Sequence, residues 1–150
     1  MSQDGGSRRD RQAAEQLEPG ESIIAAATFN TGSIERAALS GVSARIVRLV
    51  VTDSRVMLFA TSDLAFNLNL GKLLRSIPLA EIVTVESSTG RMIGFKGLKL
   101  GITLSDGSVL PFEASGLTFA SAKKLAPLLE ATVASHKGAE RPPETQGSAE

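Results

Sequence analysis

From Arg45 to Thr61 the chain reads RIVRLVVTDSRVMLFAT, two apolar, β-branched segments on either side of the polar break Thr52-Asp53-Ser54-Arg55. Such side chains suit pleated, half-buried positions, and the break predicts a hairpin turned by Asp53-Ser54 through side-chain-to-backbone hydrogen bonds. A second hairpin is predicted over Leu98 to Phe112, LKLGITLSDGSVLPF. There Leu98, Leu100, Ile102 and Leu104 share one face, and Lys99 and Thr103 share the other with Gly97 and Gly101, so one face is core and the other is wet. Asp106-Gly107 supplies the turn, a dipeptide favoured where both central residues take positive φ.

The remaining pattern is also mostly of period two. Ser22 to Phe29 reads as a first strand after Pro19-Gly20, followed by a small-residue loop from Asn30 to Ala44 with a helical turn near Ile34 to Leu39. Ala65 to Leu70 is a candidate strand, as are Lys72 to Ile77 and the segment after Pro78, LAEIVTVESS, where Leu79, Val83 and Val85 alternate with Ile82 and Thr84. The periodicity then changes. From Gly116–Thr118 toward His136, a helical stripe collects Thr118, Ala122, Leu125, Leu128, Leu129 and Thr132, with Leu117 and Val133 at its edges. Pro127 inside this stretch predicts either one kinked helix or two short helices with Pro127 opening the second. The fold class is therefore mainly β with one C-terminal α-helix, about seven antiparallel strands in a barrel or sandwich capped by the helix.

Composition narrows the classes. Basic and acidic side chains balance at 16 each, which argues against a nucleic-acid partner. The absence of cysteine excludes disulfides, zinc–thiolate sites and cysteine nucleophiles. No apolar run approaches the ~18 residues of a membrane span, and the first twenty residues lack the apolar centre of a signal peptide, so the chain reads as cytoplasmic. Polar, Gly- and Pro-containing ends predict a disordered tail over 1–16, a folded domain over 17–136 and a second disordered tail over 137–150.

The order LEPGESI, a long loop, LVVTDSRVMLF, IPLAEIVTVE, LGITLSDGSVLPFE and TFASAKKLAPLLEATV resembles the pleckstrin-homology-like (PH-like) superfamily, in particular its bacterial PH-like and GRAM-like types. The similarity rests on spacing and on the Pro-Gly-Glu and Val-Thr-Asp-x-Arg segments. It implies a seven-stranded, strongly bent sheet pair capped by the C-terminal helix, used to bind lipid headgroups or protein partners. Two family features are missing. The terminal helix lacks the Trp of eukaryotic PH domains, and the first inter-strand loop lacks the dense basic pattern of phosphoinositide binders.

Site chemistry is sparse. His136, the single histidine, lies near the expected helix end, where it can serve the last carbonyls. The carboxylates Asp53, Asp63, Glu81, Glu86, Asp106 and Glu113 are scattered through turns and strand faces, and no metal-ligand spacing occurs. The string Gly90 to Gly97 lacks the Gly-Lys-Ser/Thr ending and following helix of a phosphate loop, and reads as a flexible turn. These observations predict a chain that is not an enzyme and needs no cofactor. One charge pattern stands out: Arg36 to Lys99 carries nine basic residues against four acidic ones. Arg36, Arg45, Arg48, Lys72 and Arg75 are the candidate ligand- or lipid-binding residues. The expected function is a binding or scaffold module for a protein partner, with self-association through a sheet edge. The alternative is a peripheral adaptor making weak contact with anionic lipid at the inner membrane face.

Overall fold

The computed structural model describes residues 11–30, 46–60, 71–92 and 95–139. Seven antiparallel strands, β1 (Ile23–Asn30), β2 (Ile46–Thr52), β3 (Arg55–Ala60), β4 (Leu73–Pro78), β5 (Ile82–Met92), β6 (Phe95–Leu104) and β7 (Val109–Ser115), precede a C-terminal helix, Phe119–Ala139. They form two meanders, β1 to β4 and β5 to β7, in one sheet of order β4-β3-β2-β1-β7-β6-β5. Among the described residues the seam between the meanders is the pair Asn30↔Glu113, with Phe29 and Phe112 packed beside it at a ring separation of 5.8 Å. Among the described residues no ladder joins β4 to β5, so the sheet is open and the expected barrel does not close. The physical reason is local. Pro78 has no N–H to donate, and a 3-10 turn at Leu79–Glu81 redirects the chain before β5 begins.

Both predicted hairpins form, each with different turn chemistry. In the β2–β3 turn the Thr52 hydroxyl accepts the N–H groups of Ser54 and Arg55, at 3.1 and 3.0 Å, while Asp53 bonds outward to Ser22. At the β6–β7 turn, Gly107 N–H meets the Leu104 carbonyl and Leu104 N–H meets that of Ser108, with Gly107 at φ 91°. That is a three-residue loop ending in a glycine bulge, so positive φ is demanded of the glycine instead of both central residues. Ser108 donates through its hydroxyl and its N–H to the Asp106 carboxylate, holding Asp106 below the usual carboxylate range.

The alternation in β6 holds: Leu98, Leu100, Ile102 and Leu104 are all buried in the main core. In β5 the parity expected from sequence fails, because a bulge between Ile82 and Thr84 turns Val83 out to solvent and returns Val85 to the core side. Gly90 to Gly97, expected as a flexible turn, is mostly strand, with Gly90 paired to Gly97 and Met92 to Phe95. The expected strand at Ala65 to Leu70 and nearly all of the expected loop from Asn30 to Ala44 lie outside the described residues.

The helix runs unbroken through Pro127, which lies on its exposed face, where water can reach the Lys123 carbonyl that the proline cannot serve. Its buried stripe is Ala122, Leu125, Ala126, Leu129 and Val133. Leu128, expected inside, is exposed. The stripe packs chiefly on β1 and also on β5 and β6, bridging the seam between the meanders. Small side chains on both partners, Ala25 and Ala27 in β1 against Ala122 and Ala126 in the helix, allow close approach.

A second, smaller apolar cluster occupies the opposite face of β1–β3. Ala13, Val50, Met57 and Phe59 are buried there, with Leu17, Ile23 and Ala26 packed around them. Residues 11–14 are helical and Ala13 is fully buried, within the stretch 1–16 that the polar composition marks as tail. At the other end, residues 137–139 belong to the helix; residues 1–10 and 140–150 lie outside the described residues.

Candidate functional site

The densest polar constellation lies where the Pro-Gly-Glu segment meets the β2–β3 turn. Gly20, at φ 85°, lets the chain reverse between Glu18 and Glu21 and delivers the Glu21 carboxylate to the turn. Glu21 Oε2 accepts from Thr52 Oγ1 at 2.6 Å, Ser54 Oγ at 2.9 Å and Arg55 Nε at 2.9 Å. Oε1 accepts from Arg55 Nη2 at 3.2 Å and from the Glu18 N–H at 2.9 Å. The Glu21 and Arg55 side chains are 3% and 17% exposed. Burial pushes the Glu21 carboxyl up, but the bonds from Arg55, Thr52, Glu18 and Ser54 outweigh it and hold it down at about 2. The same pairing pushes the Arg55 guanidinium up.

Arg55 then reaches two further elements. Its Nη1 donates to Ser76 Oγ in β4 at 3.1 Å, and its Nη2 donates to the Gln16 carbonyl at 2.7 Å. A planar guanidinium with five donors can join four chain segments in this way; a lysine could not. The two segments that carry the family resemblance are therefore one ion-paired hub. Its chemistry is structural, since both carboxylate oxygens and all three guanidinium nitrogens already hold partners. The sequence signal for the pair was a lone Glu after Pro-Gly and a lone Arg after the turn, whose proximity only strand pairing reveals.

The candidate basic residues do not converge. Arg36 and Arg45 lie outside the described residues. Arg48 is half-buried on β2 opposite Phe59, on the face of the smaller cluster, and donates through Nη1 to Thr28 Oγ1 at 3.1 Å. Arg75 pairs with Leu58 on the other face of the sheet and acts at a distance on Asp106. Lys72 is exposed just before β4. Arg55, counted in the basic excess, is neutralised by Glu21.

Two grooves remain. One, of about 510 Å³, crosses the outer face of β5–β7 and is lined by Glu86, Ser88, Lys99, Gly101, Pro111 and Glu113 among others. Register explains the grouping: Glu86, Gly101 and Pro111 form one cross-strand row, and Ser88, Lys99 and Glu113 the next. The other, of about 400 Å³, lies between the helix and the start of β1, where Ile24 and Leu128 stand exposed beside Asp53, Thr132, Ser135 and His136. Ile24 reaches this groove because the β1 bulge between Ile23 and Ala25 ejects it from the alternation. His136, in the last turn of the helix as expected, also lines this groove, as does Asp53. Among the described residues no group of three or more His, Asp or Glu side chains is placed to hold a metal ion, and no helix is long and apolar enough to cross a membrane.

No family model matches the chain, and no curated protein sequence matches it. Solved structures do. The hSac2 domain from the human phosphoinositide phosphatase Sac2 superposes with a TM-score of 0.52 at 12% identity, covering 84% of this chain and 81% of that one. This corrects the expectation that the chain is not an enzyme, since the similar domain belongs to a phosphatase. At such identity the likeness is one of fold and shows no enzymatic activity. It places the seven-stranded sheet with its terminal helix among folds resembling a PH-like domain or a related β-sandwich.

Proposed function

We propose that the chain is a binding and scaffold module of the bacterial PH-like or GRAM-like type, engaging a protein partner and a second copy of itself through the β5 edge. The observation that carries this reading is β5 itself. It is an eleven-residue strand paired on one side by β6 and, among the described residues, by nothing on the other. Such an edge is a template for strand addition; β5 contains no proline, and among the described residues the terminal helix reaches it as far as Ser87, whose hydroxyl donates to Glu130 Oε2. The uncovered groove of β5–β7 lies beside it and offers side-chain contacts to whatever pairs there. Thr84 and Gly90 are exposed on this strand, and a side chain added at Gly90 meets nothing within 4 Å. A Thr84→Lys/Gly90→Lys double variant therefore blunts the edge without disturbing the fold. Light scattering over a concentration series should show association of the parent chain and its loss in the variant. A chain that stays monomeric and captures no partner, or an oligomer indifferent to the variant, would refute the reading.

A second reading takes its support from the neighbour, a domain of a protein whose title names a phosphoinositide phosphatase. In it, Arg48 with Arg36, Arg45 and Lys72 brings the module to anionic headgroups at the cytoplasmic membrane face, and Arg75, on the opposite face of the sheet from Arg48, takes no part. Because exposed basic residues contribute about 1 kcal/mol each near such a surface, and only within a Debye length, the contact should be weak and should vanish with salt. Sedimentation with phosphoinositide-containing vesicles at low and physiological ionic strength tests it. Tight, salt-resistant binding lost in Arg48→Ala would rank this reading first.

A further inference from the structure

We propose that the strand taken up at the β5 edge is an extended segment of a partner protein carrying two consecutive basic residues, one met by Glu86 on the outer face of the sheet and the other by Glu130 on the helix side. The inference rests on β5 being the docking strand and adds the chemistry of what docks there. Its origin is in the cross-strand rows of the outer face. Thr84 stands opposite Thr103 and Ser88 opposite Lys99, whereas Glu86 stands opposite Gly101, which has no side chain. Glu86 is exposed, and the one ion pair between described residues is Arg55 with Glu21, so Lys99, diagonal to Glu86 and directly opposite Glu113, closes none with either. An opposite charge directly across from Glu86 therefore has to come from the free side of β5.

The next position on β5 faces the other way. Ser87 follows Glu86, so its side chain takes the opposite face, where its hydroxyl donates to Glu130 Oε2 on the terminal helix at 3.2 Å. Ser87 and Glu130 are both exposed. One serine hydroxyl leaves that carboxylate most of its acceptor capacity. An incoming strand at the middle of β5 thus meets a carboxylate on each face. Basic positions are more remote. Lys99 is one strand further in, the next basic residue on β5 is Arg91, five residues beyond Glu86, and on the helix Lys124 and Lys137 lie six and seven residues from Glu130, about 9 and 10 Å along its axis. Successive residues of an extended chain alternate between faces, so the two residues paired with Glu86 and Ser87 are themselves consecutive and point to opposite sides. Lys or Arg at both positions gives each carboxylate its own counter-charge.

Three capped hexapeptides test this on the full chain at physiological ionic strength: Thr-Val-Lys-Lys-Val-Thr, its Glu-Glu counterpart and the neutral Thr-Val-Thr-Thr-Val-Thr, each titrated while the backbone amides of β5 are followed by NMR. The Lys-Lys peptide should shift the amides from Thr84 to Ser88 and bind at least about 5-fold more tightly than the neutral one, with the Glu-Glu peptide weaker than both. Glu86→Gln and Glu130→Gln, both at exposed positions, should each weaken the Lys-Lys peptide by about 2- to 5-fold. Glu113→Gln makes the same charge change on β7, about 14 Å from the added strand and beyond a Debye length of about 8 Å, and should leave that affinity unchanged. Equal affinity of the three peptides for β5 would overturn the inference and leave the free edge standing, whereas shifts from none of them would overturn both. A loss in Glu113→Gln that matches the loss in Glu86→Gln would reveal attraction by overall charge instead of by position, and would overturn the inference as well.

Discussion

Replacing Glu21 by Gln removes one charge from the hub and keeps its shape, and the consequence follows from the carboxyl's shifted proton affinity. Glu21 titrates at about 2 in the folded chain against 4.5 for an ordinary glutamate. Each unit of that difference is about 1.4 kcal/mol of preference for the charged form, so the ionised carboxylate contributes on the order of 3–3.5 kcal/mol to stability. With its side chain only 3% exposed, solvent screening takes little from that figure. The folded value lies below the unfolded one, so this stability is fully present above about pH 4.5 and is lost as pH falls from there through about 2. Glu21→Gln should therefore be less stable than the parent by about 3–3.5 kcal/mol near neutral pH. The gap should narrow below pH 4.5 and close near pH 2. The chain has neither Trp nor Tyr, so urea unfolding is best followed by far-ultraviolet circular dichroism. A gap below about 0.5 kcal/mol at pH 7, or one that persists unchanged at pH 2.5, would refute the reasoning.

Leu125→Ala, at the centre of the buried helical stripe, should destabilise by roughly 2–5 kcal/mol in the same titration, and a change under ~0.5 kcal/mol would show that the helix is not docked there. Gly71→Ala brings a Cβ to 2.8 Å from the Ala60 carbonyl oxygen and should lower stability by about 1 kcal/mol or more, whereas Gly90→Ala, in open space, should be neutral or slightly stabilising. Deletion of residues 1–17 should lower the melting temperature by more than the few degrees that a solvated tail would contribute, and should raise binding of an apolar dye as Val50, Met57 and Phe59 are uncovered. A deletion variant that melts with the parent and binds no dye would show that the segment covers nothing of consequence.

How much of this was legible in the sequence depends on how local the cause is. The β6 alternation and the two hairpins follow from period two and from turn residues within a few positions, and both hairpins are present. The terminal helix was legible in extent but not in rotation. Its stripe by sequence held Ala122, Leu125, Leu128 and Leu129 with Val133 at the edge, whereas packing against an alanine-lined strand kept Ala122, Leu125 and Leu129, drew in Ala126 and Val133, and left Leu128 outside. Hydrophobicity alone favours the larger side chain; the close approach to β1 favours the smaller one. Bulges at Ile24 and Val83 were illegible for a related reason, because an extra residue in one strand is defined by the register of its partner.

For the candidate site the division is sharper. Composition and spacing alone supplied residue types: a balanced charge, no cysteine, one histidine, a basic excess between Arg36 and Lys99. Only the tertiary structure decided which of these meet. It sent Arg48 and Arg75 to opposite faces, spent Arg55 on a glutamate 34 residues away, and set the segment around Ala13 over Val50 and Met57. It also left the sheet open, since Pro78 and the turn after it act on strand closure through direction in space. Local patterning determines that strands, turns and a helix form, because their hydrogen bonds close within a few residues. Long-range pairing determines which charges are consumed, which faces are covered and which edge stays free.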